Sequence, residues 1–272
     1  MLRVLAFAFV AVSFGSVNIV AQDFSIRTTV RDLDVKANNV PLVRSQTVSH
    51  AGKIYDSIPA AGELTIFEPA HRRFWILNPG KTTSTSVDFD ELRHLLKSAE
   101  ERLIQRLREL EQQTDVSHEV LEALQFQLHP QFESEFDAGK SRLRLVSKYV
   151  SYEVDGQTCD HPEAIEAYLT YADWACRLNY VLHPQPFFPN VRLELNEHLR
   201  RHKMLPTRVT LRAKLDRPLN LQAEHSLAWT LDTRDRQSIH IWESVLRDPK
   251  LQKVSLSEYQ RIALGQLAAK SR

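Results

Sequence analysis

The chain has 272 residues, 43% of them hydrophobic, with 35 basic side chains against 34 acidic ones. So even a balance excludes the concentrated basic excess that nucleic-acid binding requires. The length is sufficient to bury a proper core, as one large domain or two coupled halves.

Met1-Leu2-Arg3 is a short positive start, Val4 to Phe14 an apolar run, and Ile19-Val20-Ala21 a small-residue exit. This pattern predicts a secretory signal over residues 1–21. Ser13, Gly15, Ser16 and Asn18 interrupt the run before the roughly 20 apolar residues that a membrane-spanning helix needs. No cysteine lies near Ala21, which argues against a lipid anchor at the mature N-terminus. Cleavage removes Arg3 and no acid, so the mature chain, read as one exported domain over 22–272, is close to neutral. No later segment is apolar enough to span a membrane.

The mature chain opens with Phe24, Ile26, Thr28 and Val30 at alternate positions, a half-buried strand, followed by a polar loop around Asn38, Asn39 and Pro41. Strand-length runs then cover Lys53 to Asp56, Glu63 to Phe67, Arg73 to Asn78 and Thr83 to Val87. They are separated by Pro59, Gly62, Pro69, Pro79 and Gly80, and such short connections imply antiparallel neighbours. Phe74-Trp75-Ile76-Leu77 must point bulky groups to both sheet faces, so that strand needs cover on both sides. Asp88 with Glu91 reads as a capping box, and Phe89, Leu92, Leu96, Ala99, Leu103, Leu107 and Leu110 recur at helical spacing.

A second helix is expected from Thr114 to Leu128. From Phe132 the period returns to two, through a turn at Asp137-Ala138-Gly139-Lys140, and strand pattern persists to Val154 before Asp155-Gly156. Asp160, Pro162 and Glu163 start a helix that runs to His183-Pro184, and another follows from Val191 to Met204. Val209, Leu211, Ala213 and Leu215 alternate with polar residues, with Leu221 to Leu231 as the expected partner strand. There Ala223, His225, Leu227, Trp229 and Leu231 share one face. Two helices close the chain, one around Ile239, Trp242, Val245 and Leu246, the other begun by Ser255 and Glu258 and carrying Leu256, Tyr259, Ile262 and Leu267. Runs of strands alternating with pairs of helices predict an α+β protein, a curved antiparallel sheet with helical pairs packed on it.

Cys159 and Cys176 are too far apart for a disulfide if the intervening helix is continuous. Sixteen or so residues at 1.5 Å rise exceed the ~7 Å that a disulfide spans. Two largely buried thiols are expected.

No polar constellation specifies a reaction. Glu194, His198 and His202 have the i, i+4, i+8 spacing of metal ligands, but they border the apolar stripe of Val191, Leu195 and Leu199 and lack a second motif. His118 with Glu122 is weaker still. Pro79-Gly80-Lys81-Thr82 ends like a phosphate-binding loop, yet Trp75 stands where its first glycine belongs. His225 and Ser226 occupy adjacent strand positions and face opposite ways. Asp232, Arg234, Asp235 and Arg236 read as a capping turn with local ion pairs. No metal, no cofactor and no enzymatic activity are expected; a hydrolase built on His50, His198 or His202 lacks a nucleophile.

What remains is apolar and aromatic. Phe67, Phe74, Trp75, Leu227 and Trp229 are candidates to line a concave sheet surface, against the alternative that they are ordinary core. The segments HAGKIYDSIPAAGELTIFEPAHRRFWILN, AEHSLAWTLD and SEYQR resemble those of uncharacterised exported bacterial proteins. The succession of short antiparallel strands with inserted helices is similar to the half-barrel of periplasmic lipoprotein carriers. That resemblance implies an acyl chain held between sheet and helices, with no residue motif to carry over. The expected function is thus a non-enzymatic, exported, periplasmic binding protein, a carrier of an acyl chain or lipoprotein segment. The alternative is an envelope structural or protein-interaction module without a small-molecule ligand, its helix from Phe89 to Gln112 meeting a partner.

Overall fold

The computed structural model describes residues 23–35, 40–113, 115–159, 162–183, 187–214 and 218–270. The signal expected over 1–21, the loop at Asn38 and Asn39, Thr114, Asp160, Pro184 and Leu215 lie outside the described residues. The side chain of Leu267 does too.

Strands β1 (Phe24–Asp32), β2 (Val43–His50), β3 (Lys53–Ile58), β4 (Glu63–Glu68), β5 (Arg73–Asn78) and β6 (Thr83–Asp88) form one meander. Helices α1 (Phe89–Glu111) and α2 (His118–Leu128) lead to β7 (Glu133–Asp137), β8 (Arg142–Val146) and β9 (Val150–Thr158). After α3 (Pro162–Leu182) and α4 (Asn190–Arg201) come β10 (Met204–Ala213) and β11 (Leu219–Ala228). The chain closes with α5 (Thr233–Leu246), β12 (Gln252–Lys253) and α6 (Leu256–Lys270). The described strands make one open sheet in the order β12-β6-β5-β4-β3-β2-β1-β11-β10-β9-β8-β7. Every pairing is antiparallel except β12 with β6. The first meander and the β7–β11 strands therefore meet along β1 and β11, residues about two hundred positions apart, where Ile26 faces Leu227 and Thr28 faces His225.

The two sheet faces carry separate cores. On the inner face Phe24, Ile26, Ile54, Phe67, Phe74, Ile76 and Val87 pack against α1, α3, α4 and Tyr259 of α6. On the outer face Val48, Tyr55, Leu64, Ile66 and Leu77 pack against Ile239 and Trp242 of α5. Phe74 and Ile76 thus point inward while Trp75 and Leu77 point outward, and both sides are covered, as four consecutive bulky residues require. A capping box of Asp232 and Asp235 starts α5. Asp235 is buried and also accepts hydrogen bonds from Ser25, Arg27 and Gln46 at 3.1, 3.0 and 2.7 Å, which docks α5 on β1 and β2. The capping turn is thus present, Arg234 lies near Asp232 as expected, and Asp235 adds a long-range ion pair to Arg27.

Several boundaries differ from expectation. Strand β2 is a central strand that the sequence concealed, because VRSQTVSH carries few apolar residues; Thr47 and Ser49 are buried and polar. Asp88 makes no capping hydrogen bond to α1, since it extends β6 opposite Arg73, and the Phe89 N–H donates instead to the Arg72 carbonyl at 2.8 Å. Helix α2 is capped by Ser117, whose Oγ accepts from the Glu119 N–H. Strand β9 continues through Gly156 to Thr158. Helix α4 stops at Arg201, because Lys203 takes a positive φ of 50° and turns the chain into β10 at Met204. After Ala228 the chain leaves the sheet, so Leu231 joins the outer core rather than the face that carries Ala223, His225 and Leu227.

Candidate functional site

On the inner face, the β3–β6 half is filled by aromatic rings. Phe67 lies 5.1 Å from Phe74 and 5.5 Å from Phe89, and Phe89 stacks on Trp174 of α3 at 3.9 Å between centroids. The other half is not filled. Val30 of β1, Ala223 of β11, Val209 of β10 and Val154 of β9 stand in one row across four strands, and Leu221, Leu211, Tyr152 and Leu145 form the next. Leu211, Leu221 and Ala223 on this face are only half-buried. Above them lies a half-open cleft of about 450 Å³ between these strands and the α3–α4 region, walled by Phe188, Val191, Val209 and Leu211. That volume falls within the range of ~300–1,000 Å³ typical of small-molecule sites.

Few polar groups reach the cleft. His225 lines it, its Nδ1 2.9 Å from Thr28 Oγ1; burial, with the Arg192 charge adding, holds its pKa down to about 4, so the imidazole is neutral at pH 7. Ser226 points to the opposite face, its position paired with Arg27. Tyr152 and Cys176 also line the cleft, and burial pushes the phenol to about 12 and the thiol to about 11. Cys159 and Cys176 are both reduced, and each is half-buried. Arg192, in the first turn of α4, supplies the cleft's one positive charge among the described lining residues.

The five aromatic and apolar candidates are divided by the fold. Phe67 and Phe74 are fully enclosed in the inner core, and Leu227 and Trp229 pack against that core, Trp229 edge-on to Phe24 at 6.5 Å. Trp75 lies on the outer face, where its Nε1 donates to Glu68 at 3.2 Å and Arg73 and Lys253 stack over its ring. None of the five lines the cleft. The residues that do, Val30, Val209, Leu211, Leu221, Ala223 and His225, were legible only as an alternating strand face.

The histidines are dispersed. His50 pairs with Asp23 at 3.0 Å; buried His198 lies 3.6 Å from Glu194; His202, off the end of α4, stacks on Phe136 at 3.9 Å. His118 contacts Glu122 at 3.1 Å on an exposed helix face. Among the described residues no three His, Cys, Asp or Glu side chains converge as metal ligands would. Pro79 to Lys81 form a single 3-10 turn, and the Lys81 ammonium donates to the Ile262 carbonyl of α6, which explains a lysine there without phosphate.

On α1, Leu92 and Leu110 are buried and Leu95, Leu96, Leu103 and Leu107 half-buried. Large exposed apolar side chains lie elsewhere, among them Leu33, Val35, Val40 and Leu42, which flank the β1–β2 connection in sequence. No helix among the described residues is long and apolar enough to cross a membrane. No protein-family model matches the chain, and no curated protein matches it.

Proposed function

We propose that this chain is an exported, periplasmic, non-enzymatic binding protein that holds an acyl chain in the inner-face cleft. The observation that carries this reading is the contrast across one sheet face: packed solid over β3–β6, and left as a half-open cleft of about 450 Å³ walled by aliphatic side chains over β9–β11 and β1. A carrier must keep apolar surface available that folding itself would otherwise fill, and burying a ligand there recovers about 0.8 kcal/mol per methylene. An open sheet with helices over its inner face, read as curved with paired helices above it, is the arrangement expected of a lipoprotein-carrier half-barrel, and the ligand is an acyl chain or acylated segment. The small residue Ala223 at the cleft floor, rather than the aromatic set, makes room for it.

The test is native mass spectrometry of the protein purified from its own envelope, followed by lipid extraction. A stoichiometric acyl species is expected in wild type and its loss in Ala223→Phe. A clean mass that stays clean after incubation with acyl ligands would defeat the reading.

A second reading, an envelope interaction module, draws on one observation. Leu33, Val35, Val40 and Leu42, which flank the β1–β2 connection in sequence, are each exposed, and an exposed apolar patch is a mark of an interaction site. On that reading a partner-free preparation would show concentration-dependent association that Leu33→Ser with Val40→Ser removes.

A further inference from the structure

Resting on the acyl-binding reading, we propose that the ligand is a single-chain amphiphile with a carboxylate head, a free fatty acid, and that Arg192 receives the head. The juxtaposition is an aliphatic cleft with one guanidinium at its wall that no carboxylate pairs among the described residues.

Arg192 is half-buried on α4, with Asn196 and the Tyr168 hydroxyl as its side-chain partners and no carboxylate among the described residues. Its Nε donates to Asn196 Oδ1 at 3.0 Å, and its charge reaches Tyr152, Tyr168, Cys176 and His225 around the cleft. The acid nearest in this network, Asp173, is already engaged. Asn196 Nδ2 donates to one oxygen at 2.8 Å, and Arg200 pairs with the other at 3.0 Å. Arg192 therefore meets that carboxylate only through Asn196, which fixes the guanidinium plane without neutralising it.

A guanidinium has five donors and binds a carboxylate through two parallel hydrogen bonds, the stronger because the surroundings are apolar. A lone cation beside aliphatic walls is costly unless an anion joins it. His225 is neutral, hydrogen-bonded to Thr28, and does not compete for the head as a second cation. The walls select the chain and Arg192 selects the charge. A neutral head of the same length, a fatty alcohol or ester, satisfies the walls and leaves the guanidinium as it was.

The experiment is displacement of the neutral fluorophore N-phenylnaphthylamine from the full-length protein by hexadecanoate and by hexadecan-1-ol, in wild type, Arg192→Gln and Arg192→Lys. Wild type is expected to bind the acid at least tenfold more tightly than the alcohol. Arg192→Gln should remove that preference, and Arg192→Lys should keep part of it. Equal affinity of wild type for acid and alcohol, or an acid preference that survives in Arg192→Gln, overturns the carboxylate assignment and leaves acyl binding standing. Failure of both ligands to displace the probe or to bind defeats acyl binding itself. Should Arg192→Gln not fold, the acid–alcohol ratio of wild type against Arg192→Lys still decides.

Discussion

The Tyr55 hydroxyl of β3 donates a 2.6 Å hydrogen bond to Glu243 Oε1 of α5, joining sheet and helix across 188 positions of sequence. Lys53 reaches the same oxygen at 3.0 Å and bridges it to Glu68, whose other oxygen accepts from Arg73 and Trp75. Burial would raise the Glu243 carboxyl, but hydrogen bonds from Tyr55, Lys53 and Arg247 outweigh it and hold the pKa down to about 2. Its ordinary value is 4.5, so the folded state binds the proton less readily than the unfolded chain. The stability it contributes is complete above pH 4.5 and is lost as pH falls toward 2. Glu243→Gln should cost about 1–3 kcal/mol at pH 7, because the amide oxygen still accepts one hydrogen bond but no longer offers a negative charge to Lys53 and Arg247. The gap from wild type in urea unfolding should narrow between pH 5 and pH 2.5; a constant gap would mean that Glu243 has an ordinary pKa.

Phe89 is the hinge between β6 and α1 and the centre of the inner aromatic stack, touching Phe67, Phe74 and Trp174. Truncation leaves a cavity among rings that cannot all move in. Phe89→Ala is expected to destabilise by about 3–5 kcal/mol. Phe132→Ala, whose side chain is only partly buried, should cost clearly less in the same denaturant series.

Gly156 marks a close approach, not a turn. A Cβ there would lie 2.5 Å from Met204 Cε and 2.7 Å from the Leu205 carbonyl oxygen, next to the irregularity between Pro206 and Arg208 in β10. Met204 is fully buried, its Cγ also lies only 2.6 Å away, and the carbonyl belongs to a paired strand. Gly156→Ala should lower stability by about 1–3 kcal/mol, read as a lower midpoint in thermal unfolding. An unchanged midpoint would mean that β10 yields locally.

Ala223 sits in the cleft floor and is itself half-buried, as are Val30, Leu221 and His225 around it, so a larger side chain has room to enter the space a ligand would use. In Ala223→Phe the displaceable binding of N-phenylnaphthylamine should weaken at least tenfold, with the unfolding midpoint within a few degrees of wild type. Retained binding would move the acyl site elsewhere.

The Cys176 thiol is raised to about 11 by burial, and thiolate is the reactive form. At pH 8 about one molecule in a thousand is ionised there, against roughly a quarter for a thiol of pKa ~8.5. Iodoacetamide should therefore modify Cys176 at least tenfold more slowly in the folded protein than in urea. Two thiols per chain should titrate under denaturing, non-reducing conditions.

Much of the framework was legible along the chain. The alternation around Val209 and the turn residues between Ile58 and Thr83 predicted antiparallel strands, and Phe74 to Leu77 predicted cover on both faces, which α5 and the inner helices supply. The central strand β2 was hidden because its inward positions are Val43, Ser45, Thr47 and Ser49, mostly polar, and the Thr47 hydroxyl donates to Asp56 of β3 at 3.1 Å, so the strand carries no apolar signature. The two-residue β12 was hidden by its shortness, since backbone hydrogen bonds to Thr82 and Ser84 at the β6 edge place it there.

Residue spacing by itself determined which side chains share a strand face or a helix stripe, because those periods are local properties of the backbone. Only the tertiary structure decided what lies over each face. Phe67 and Leu211 carry the same strand pattern, yet helices and rings enclose one and leave the other at a cleft. Whether Arg192 keeps an unneutralised charge likewise depends on Asp173 being taken by Asn196 and Arg200, contacts 23 and 27 positions distant. Pairing and covering are sums over such distant contacts, so no window along the chain contains them.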